Sequence, residues 1–439
     1  MKGWQAIKLK DCSEIFPGYA FDSASFTENE TDIPLVKGEN LHQGYIDWVA
    51  SRRWPGHDWS KLAKFQLRAN DIVLAMDRPW IEAGLKWSWM KPGYPKALLV
   101  QRVARIRANK DVDQTFLRYI IGSGMFEGYV KPIVTGVNVP HISGGQIGNF
   151  MCLLPPLPIQ RKIAAVLSSY DDLIENNNRR IAILEKMAEE LYREWFVRLR
   201  FPGHEKAKIV KGVPEGWEVK RIGEIVEHQI GGGWGQDVPT GSENVPVYII
   251  RGTDFKNIEK GSFLSTPLRY EKQSSVNSRK LVHGDLVLEN SVNAQSRCTG
   301  NTILITKEIL SQFDHPVIPA SFCKLIRFND IELSFYIWKE MKMFYNQGLM
   351  EYFQNVATNG IANFQMTRFL ERFDIKIPSN KQLYLSLWNY DTSFYTLMIA
   401  NLKQSRDRLL SRLMSGRIDV EHLDIRFPAS MKEEEAVNA

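Results

Sequence analysis

Residues 155–196 read PPLPIQRKIAAVLSSYDDLIENNNRRIAILEKMAEELYREWF. Pro155 and Pro156 stop whatever precedes them, and a long amphipathic run follows. Ile163, Val166, Leu167, Tyr170, Ile174, Ile181, Leu184, Ala188, Leu191 and Trp195 recur at spacings of three and four, which places them on one stripe of a helix. From Gln160 to Trp195 such a helix is about 54 Å long at ~1.5 Å per residue. Asn177 falls on the stripe where an apolar residue is expected. Either it is buried and fixes the register of a helix pair, or the NNN triplet marks a bend with solvated asparagines.

A helix this long, in mid-chain, needs a partner. Leu387, Tyr390, Phe394, Leu397, Leu402, Leu409 and Leu413 form a second stripe, and Gly416 is a suitable C-terminal cap. Two stripes of matching length most simply bury against each other as an antiparallel coiled coil.

The remainder of the sequence occurs twice. Gly3-Trp4 returns as Gly216-Trp217. IPLVKGENL (33–41) aligns with VPVYIIRGTDF (245–255), with Pro34 opposite Pro246 and Gly38 opposite Gly252. LRANDIVLAMDR (67–78) aligns with LVHGDLVLENSV (281–292), Asp71 opposite Asp285. VDQTFLRYII (112–121) aligns with IELSFYIWKE (331–340), and VTGVNVPHIS (134–143) with ATNGIANFQM (357–366). Their common order and near-constant spacing predict two copies of one unit. NDIVLAM and GDLVLEN read as buried strands, and the segments after 112 and 331 as short helices. The fold class is therefore α+β: two repeated units and two long helices, related by a pseudo-twofold. The expected boundaries are 1–154, first unit; 155–200, central helix; 201–216, linker; 217–378, second unit; 379–420, C-terminal helix; and 421–439, tail.

Composition bounds the chemistry. The 439 residues exceed one core, and 44% hydrophobic with 24% charged content fits folded domains. Cys12, Cys152, Cys298 and Cys323 form no CxxC pair, which suggests neither zinc nor a disulfide framework and fits a reducing cytoplasm. The start MKGWQAIKLKDC has no apolar signal core, and no run of about 18 apolar residues predicts a membrane span. The net charge is +6, with 19 Lys+Arg against 15 Asp+Glu over residues 1–150 and 19 against 19 over 211–378. That balance permits nucleic-acid binding without requiring it.

The central helix, the linker FPGHEKAKIVKGVPEGWEV, the repeated GW, the NDIVLAMDRP and GDLVLEN strands and the terminal LLSRLMSGRIDV together resemble the specificity subunits of type I restriction–modification systems. The likeness covers nearly all of residues 1–425. It implies a non-catalytic bacterial or archaeal cytoplasmic protein. Two target-recognition domains would each read half of a split site in double-stranded DNA. The helices would space the domains and dock two methyltransferase subunits, and restriction/motor subunits where present. No cofactor is expected on this chain; S-adenosylmethionine, ATP and magnesium would belong to the partners, giving adenine-N6 methylation and ATP-dependent cleavage. The helix-pair and docking residues would be Ile163, Leu167, Tyr170, Ile174, Asn177, Ile181, Leu184, Leu191, Tyr390, Phe394, Leu397, Leu402 and Leu409.

The residues agree with a non-catalytic role. Pro155-Pro156 is the only Pro pair and lacks the (N/D)PP(Y/F) context, and no G-x-x-x-x-G-K-(S/T) loop occurs. IGGGWG (230–235) reads as a turn, the E-x-K matches at Glu218–Lys220 and Glu340–Lys342 as chance, and the eight histidines show no metal spacing. For DNA, Arg52, Arg53, Lys61, Lys64, Arg78, Lys86 and Lys91 are candidates in loops flanking NDIVLAM, and tryptophans beside them read as packing residues. Gln236, Asn290, Asn293, Gln295 and Arg297 supply amides and a guanidinium in the second unit, suited to bidentate base contacts. Two other classes stay open: a fused methyltransferase or nuclease, and a coiled-coil adaptor that binds only proteins.

Overall fold

The computed structural model describes residues 3–81, 84–133, 140–293 and 298–431. Two compact units form: residues 1–172 with 404–439, and residues 173–403. Both divisions fall inside the long helices rather than at the ends of the repeat.

In the first unit, a four-stranded antiparallel sheet runs in the order Trp87–Trp89, Ile72–Ala75, Val103–Ala108, Ser13–Pro17. A second sheet is ordered Arg53–Trp54, Ile33–Val36, Ala97–Leu99, Gln66–Leu67, with Ile33–Val36 and Ala97–Leu99 parallel. A pair formed by Gln5–Lys8 and Met151–Leu154 closes the unit. The second unit repeats this topology. Its sheet runs Thr302–Leu304, Leu286–Glu289, Cys323–Phe328, Val226–Gly231. Leu268–Lys272, Glu243–Ile250 and Val317–Pro319 form the second sheet, again with one parallel pair. Glu218–Arg221 with Asp374–Ile377 closes it.

Three local details follow from residue chemistry. Gly3 and Gly216 hold φ of 83° and 85°, so each GW opens its unit through a left-handed turn that glycine adopts without cost. Asn70 and Gly284, at φ 67° and 91°, turn the chain into the two central strands; both residue types tolerate that region. Ile72–Ala75 and Leu286–Glu289 are then fully buried, as their apolar runs predict.

The register corrects one pairing. Leu35 and Val36 face Leu98 and Leu99, while Ile249 and Ile250 face Ile318 and Pro319. This keeps Gly38 opposite Gly252 but sets Tyr248, not Pro246, opposite Pro34.

The central helix spans Leu157–Tyr192 without a break, and Arg193–Val197 widens into a π turn. The C-terminal helix is shorter than its stripe suggests. It covers Ser393–Met414, 22 residues, preceded by a separate helix Lys381–Leu385 and a 3-10 turn Ser386–Tyr390. Asp391 ends that turn and accepts from the Ser393 amide at 3.0 Å, a local cap that competes with continued helix. Leu387 and Tyr390 therefore lie outside the long helix. The segment expected as a linker holds a two-stranded hairpin, Ile209–Val210 with Val213–Pro214, and Phe201 packs on Trp217 at 5.1 Å. From residue 420 onward the chain continues to pack: Val420 and Met431 are buried in the first unit's core, with Ile425 and Phe427 against it. Cys12, Cys152, Cys298 and Cys323 form no disulfide.

Candidate nucleic-acid interface

Each unit is built on the same charged clamp. Asp285, at the start of its central strand, accepts Arg327 Nε and Nη2, both at 2.8 Å, and the Val282 amide at 2.7 Å. Asp71 likewise accepts Arg107 Nε and Nη2 and the Arg68 amide at 2.8 Å. Both aspartates are buried and fully hydrogen-bonded, which offsets their desolvation. Gly18 and Gly232 meet a facing backbone so closely that a Cβ would stand 2.2 Å from the Val100 carbonyl oxygen and 2.1 Å from that of Ala320. IGGGWG is thus a strand end plus a backbone crossing.

The loops carried by this frame hold the sequence candidates. In the first unit, Arg52 is exposed at a strand edge. Arg53 pairs in register with Pro34 and donates to the Asp32 carbonyl at 2.9 Å, so its guanidinium serves the loop. Lys61 pairs with Asp58 at 2.9 Å and Lys64 is exposed; both lie on the 3-10 segment Gly56–Phe65. Arg78 is exposed at φ 44°, beside Asp77, which binds Arg102 at 2.7 Å and His141 at 2.6 Å. Lys86 donates to the Gly38 carbonyl, and burial pushes its pKa down. Lys91 lies over the Trp89 ring at 5.2 Å. Arg52, Arg53, Lys61 and Lys64 thus belong to the second sheet and its adjoining turn, and Arg78 and Lys86 to the strand-end loops. The tryptophans pack: Trp54 and Trp59 against Phe21 and its neighbours, Trp48 against Tyr94 at 5.2 Å.

In the second unit, Gln236 is exposed while its backbone bridges Tyr270 at 2.9 and 3.0 Å. Asn290 donates to Ser291 Oγ at 3.1 Å, and its buried Oδ1 finds no partner among the described residues. Asn293 ends a strand opposite Ile361. The Asn293 side chain, Gln295 and Arg297 lie outside the described residues.

Sequence reading missed a further feature of this unit. Ser291–Asn293, Ile361–Phe364 and Gln354–Val356 form a three-stranded sheet of their own. Beside it an open cleft of about 720 Å³ is lined by Lys324, Phe364, Gln365, Arg368, Glu371 and Arg372, among others. Arg368 lies over the Tyr352 ring at 3.9 Å, and hydrogen bonds from Arg368 and Arg372 hold the Tyr352 hydroxyl below its ordinary pKa. Burial pushes Lys324 down. Arg368 and Arg372, four apart in QMTRFLER, were the available signal; the segment just before them served only to align the repeat.

On the helices, Ile163, Leu167, Ile174 and Asn177 are buried, and Tyr170, Ile181, Leu184, Leu191, Tyr390, Leu397, Leu402 and Leu409 half-buried. Phe394 is a correction: it is 58% exposed, because the C-terminal helix begins at Ser393 and turns Tyr395, Met398 and Ile399 inward instead. Asn177 Nδ2 meets Met398 Sδ at 3.3 Å within an unbroken helix, which removes the bend. In the first unit Asp171 joins three helices. It accepts Tyr119 Oη at 2.5 Å and Arg406 Nη1 at 2.7 Å, with Arg118 at 3.6 Å. Gln160 is buried as a second anchor, accepting the Asp113 amide at 2.9 Å.

Among the described residues no group of three His, Cys, Asp or Glu could hold a metal, and no helix is long and apolar enough to cross a membrane. Glu218 and Lys220 pair with each other at 2.7 Å, and Lys342 pairs with Glu259 at 2.8 Å.

The family model of the type I restriction modification DNA specificity domain matches residues 1–186. Over those residues the chain is similar to that domain. The MjaVIII specificity subunit of Methanocaldococcus jannaschii is 31% identical over 189 residues, 43% of this chain and 44% of that one. The EcoAI specificity subunit of Escherichia coli is 33% identical over 180 residues, 40% of this chain and 29% of that one. The match thus spans less than half the length of these relatives. The S subunit of a type I system from M. genitalium shares the fold across 93% of this chain and 96% of its own, with a TM-score of 0.58 at 14% identity.

Proposed function

We infer that the whole chain is the non-catalytic recognition subunit of a type I restriction–modification complex. Each unit reads one half of a split site in double-stranded DNA. The observation that carries this reading is the duplication: two units with the same strand order, the same Asp–Arg clamp and different loops. A duplicated frame with divergent loops suits a split target whose halves differ in sequence.

The long helices form an antiparallel coiled coil around a pseudo-twofold and set the unread gap. Support comes from each unit by itself. In the first, Lys162 meets the carbonyls of Glu421 and Leu423 while Asp171 meets Arg406. In the second, Asn177 meets Met398 and Arg180 lies over Tyr395. The helix faces left open dock two methyltransferase subunits, and motor subunits where present. Those partners bring S-adenosylmethionine, ATP and magnesium, and this chain works in the cytoplasm. On this reading the boundaries 1–154 and 217–378 delimit the two target-recognition domains.

The test is to co-express the chain with its methyltransferase and map methylated adenines across the host genome. One split motif with a fixed gap is the expected result. Absence of any motif, with both proteins folded and associated, overturns the reading.

A further inference from the structure

The second unit carries a group of cations that form no ion pair among the described residues, beside a polar sheet face. Lys324 is half-buried, with no acidic group acting on it and burial alone shifting its pKa. Arg368 and Arg372 lean on Tyr352, and among the described residues neither they nor Lys324 form an ion pair. Glu371 lines the same cleft without pairing with them. Holding three cations together, one of them partly desolvated, costs free energy unless an anion is meant to join them.

The adjacent three-stranded sheet has an outer face of a distinct kind. Ser291, Asn363 and Asn355 stand in register across its strands. Ser291 Oγ donates to Asn363 Oδ1 at 2.7 Å, while Asn355 and Asn363 are exposed. Ala362 and Phe364, on either side of Asn363, are buried, so the alternation sends the amides outward. With strands about 4.8 Å apart, the row is ~10 Å wide, against a major groove about 12 Å wide. Asparagine side chains offer the paired donor and acceptor that recognise an adenine edge. Phe322 is 67% exposed, and its carbonyl accepts the Asn290 and Ser291 amides, so an apolar ring stands where the row begins.

We propose that this sheet face is the base-reading surface of the second unit, with Asn363 and Asn355 contacting base edges and Lys324, Arg368 and Arg372 holding backbone phosphates. The ligand is duplex DNA entered through the major groove. The inference rests on the recognition reading above and goes beyond it by assigning the reading surface to the sheet face around Asn363 and Asn355, neither of which is among the sequence candidates.

The experiment uses the full chain with its methyltransferase partner. N355A and N363A are each expected to lose about tenfold or more of discrimination at one half-site and none at the other. R368A/R372A should lower affinity and reduce the slope of log K against log salt by about 2, since each phosphate contact contributes about 0.9; R368K/R372K should keep the slope. Asparagine variants that discriminate like wild type at both half-sites overturn the proposal. So do equal losses at both half-sites, or an unchanged salt slope in R368A/R372A. A wild-type complex with no split motif instead sinks the recognition reading, and the proposal with it.

Discussion

Strand Val103–Ala108 of the first unit and strand Cys323–Phe328 of the second occupy the same place in the same sheet. At the fifth residue of each strand the match is close: Arg327 holds Asp285 as Arg107 holds Asp71. Toward the other end it fails. Ala104 is fully buried, whereas its counterpart Lys324 lines a basic cleft. The helices that follow diverge similarly: Ile121 is buried in the first unit, and the aligned position in the second is Glu340. The first unit places cations on a 3-10 segment at its second sheet, the second beside an extra hairpin. The common frame is set by residues that satisfy backbone and buried charge. Residues free of that duty differ, and on the proposed reading those are the ones available to read different DNA.

The comparison breaks most readily at the clamp. D71A and D285A should each cost about 2–3 kcal/mol, because each leaves a half-buried arginine and a turn amide without their acceptor. Chemical denaturation with hydrogen exchange should show similar losses, each confined to its own unit. Unequal losses would mean that the two clamps are not equivalent.

Glu340 sharpens the contrast through pH. Burial pushes its carboxyl up to about 7 from an ordinary 4.5, only partly opposed by Lys376. The folded chain then holds the proton more tightly than the unfolded one. Stability falls as pH rises from about 4.5 to about 7, by at most ~3 kcal/mol. E340Q should flatten that window in the second unit. Denaturation midpoints that stay pH-dependent in E340Q would assign the effect elsewhere.

The glycine crossings predict the smallest change. G18A and G232A each force a methyl against a carbonyl oxygen and should cost about 1–3 kcal/mol. Melting temperatures should drop in both, and a neutral variant at either site would mean that its backbone crossing is loose.

Much of the frame was legible in the sequence because backbone demands leave marks. Gly3 and Gly216 need left-handed turns, Asp71 and Asp285 open buried strands, and apolar runs IVLA and LVLE fill them. The helix stripe was legible from its period, with Asn177 correctly placed on it. The break before Ser393 was not, because the stripe continues through Leu387 and Tyr390 while Asp391 caps locally. Arg53 and Lys86 looked like free cations, yet their partners are the carbonyls of Asp32 and Gly38, which no side-chain pattern reveals. The cleft of Lys324, Arg368 and Arg372 joins segments more than 40 residues apart, so only the folded chain brings it together.

The most direct test of the two-headed spacer is a matched four-residue insertion in both helices, near Asn177 and Met398, adding about one turn to each. The methylation map of the complex should keep both half-sites and lengthen the gap between them. An unchanged gap, in a variant that folds and methylates, would contradict it.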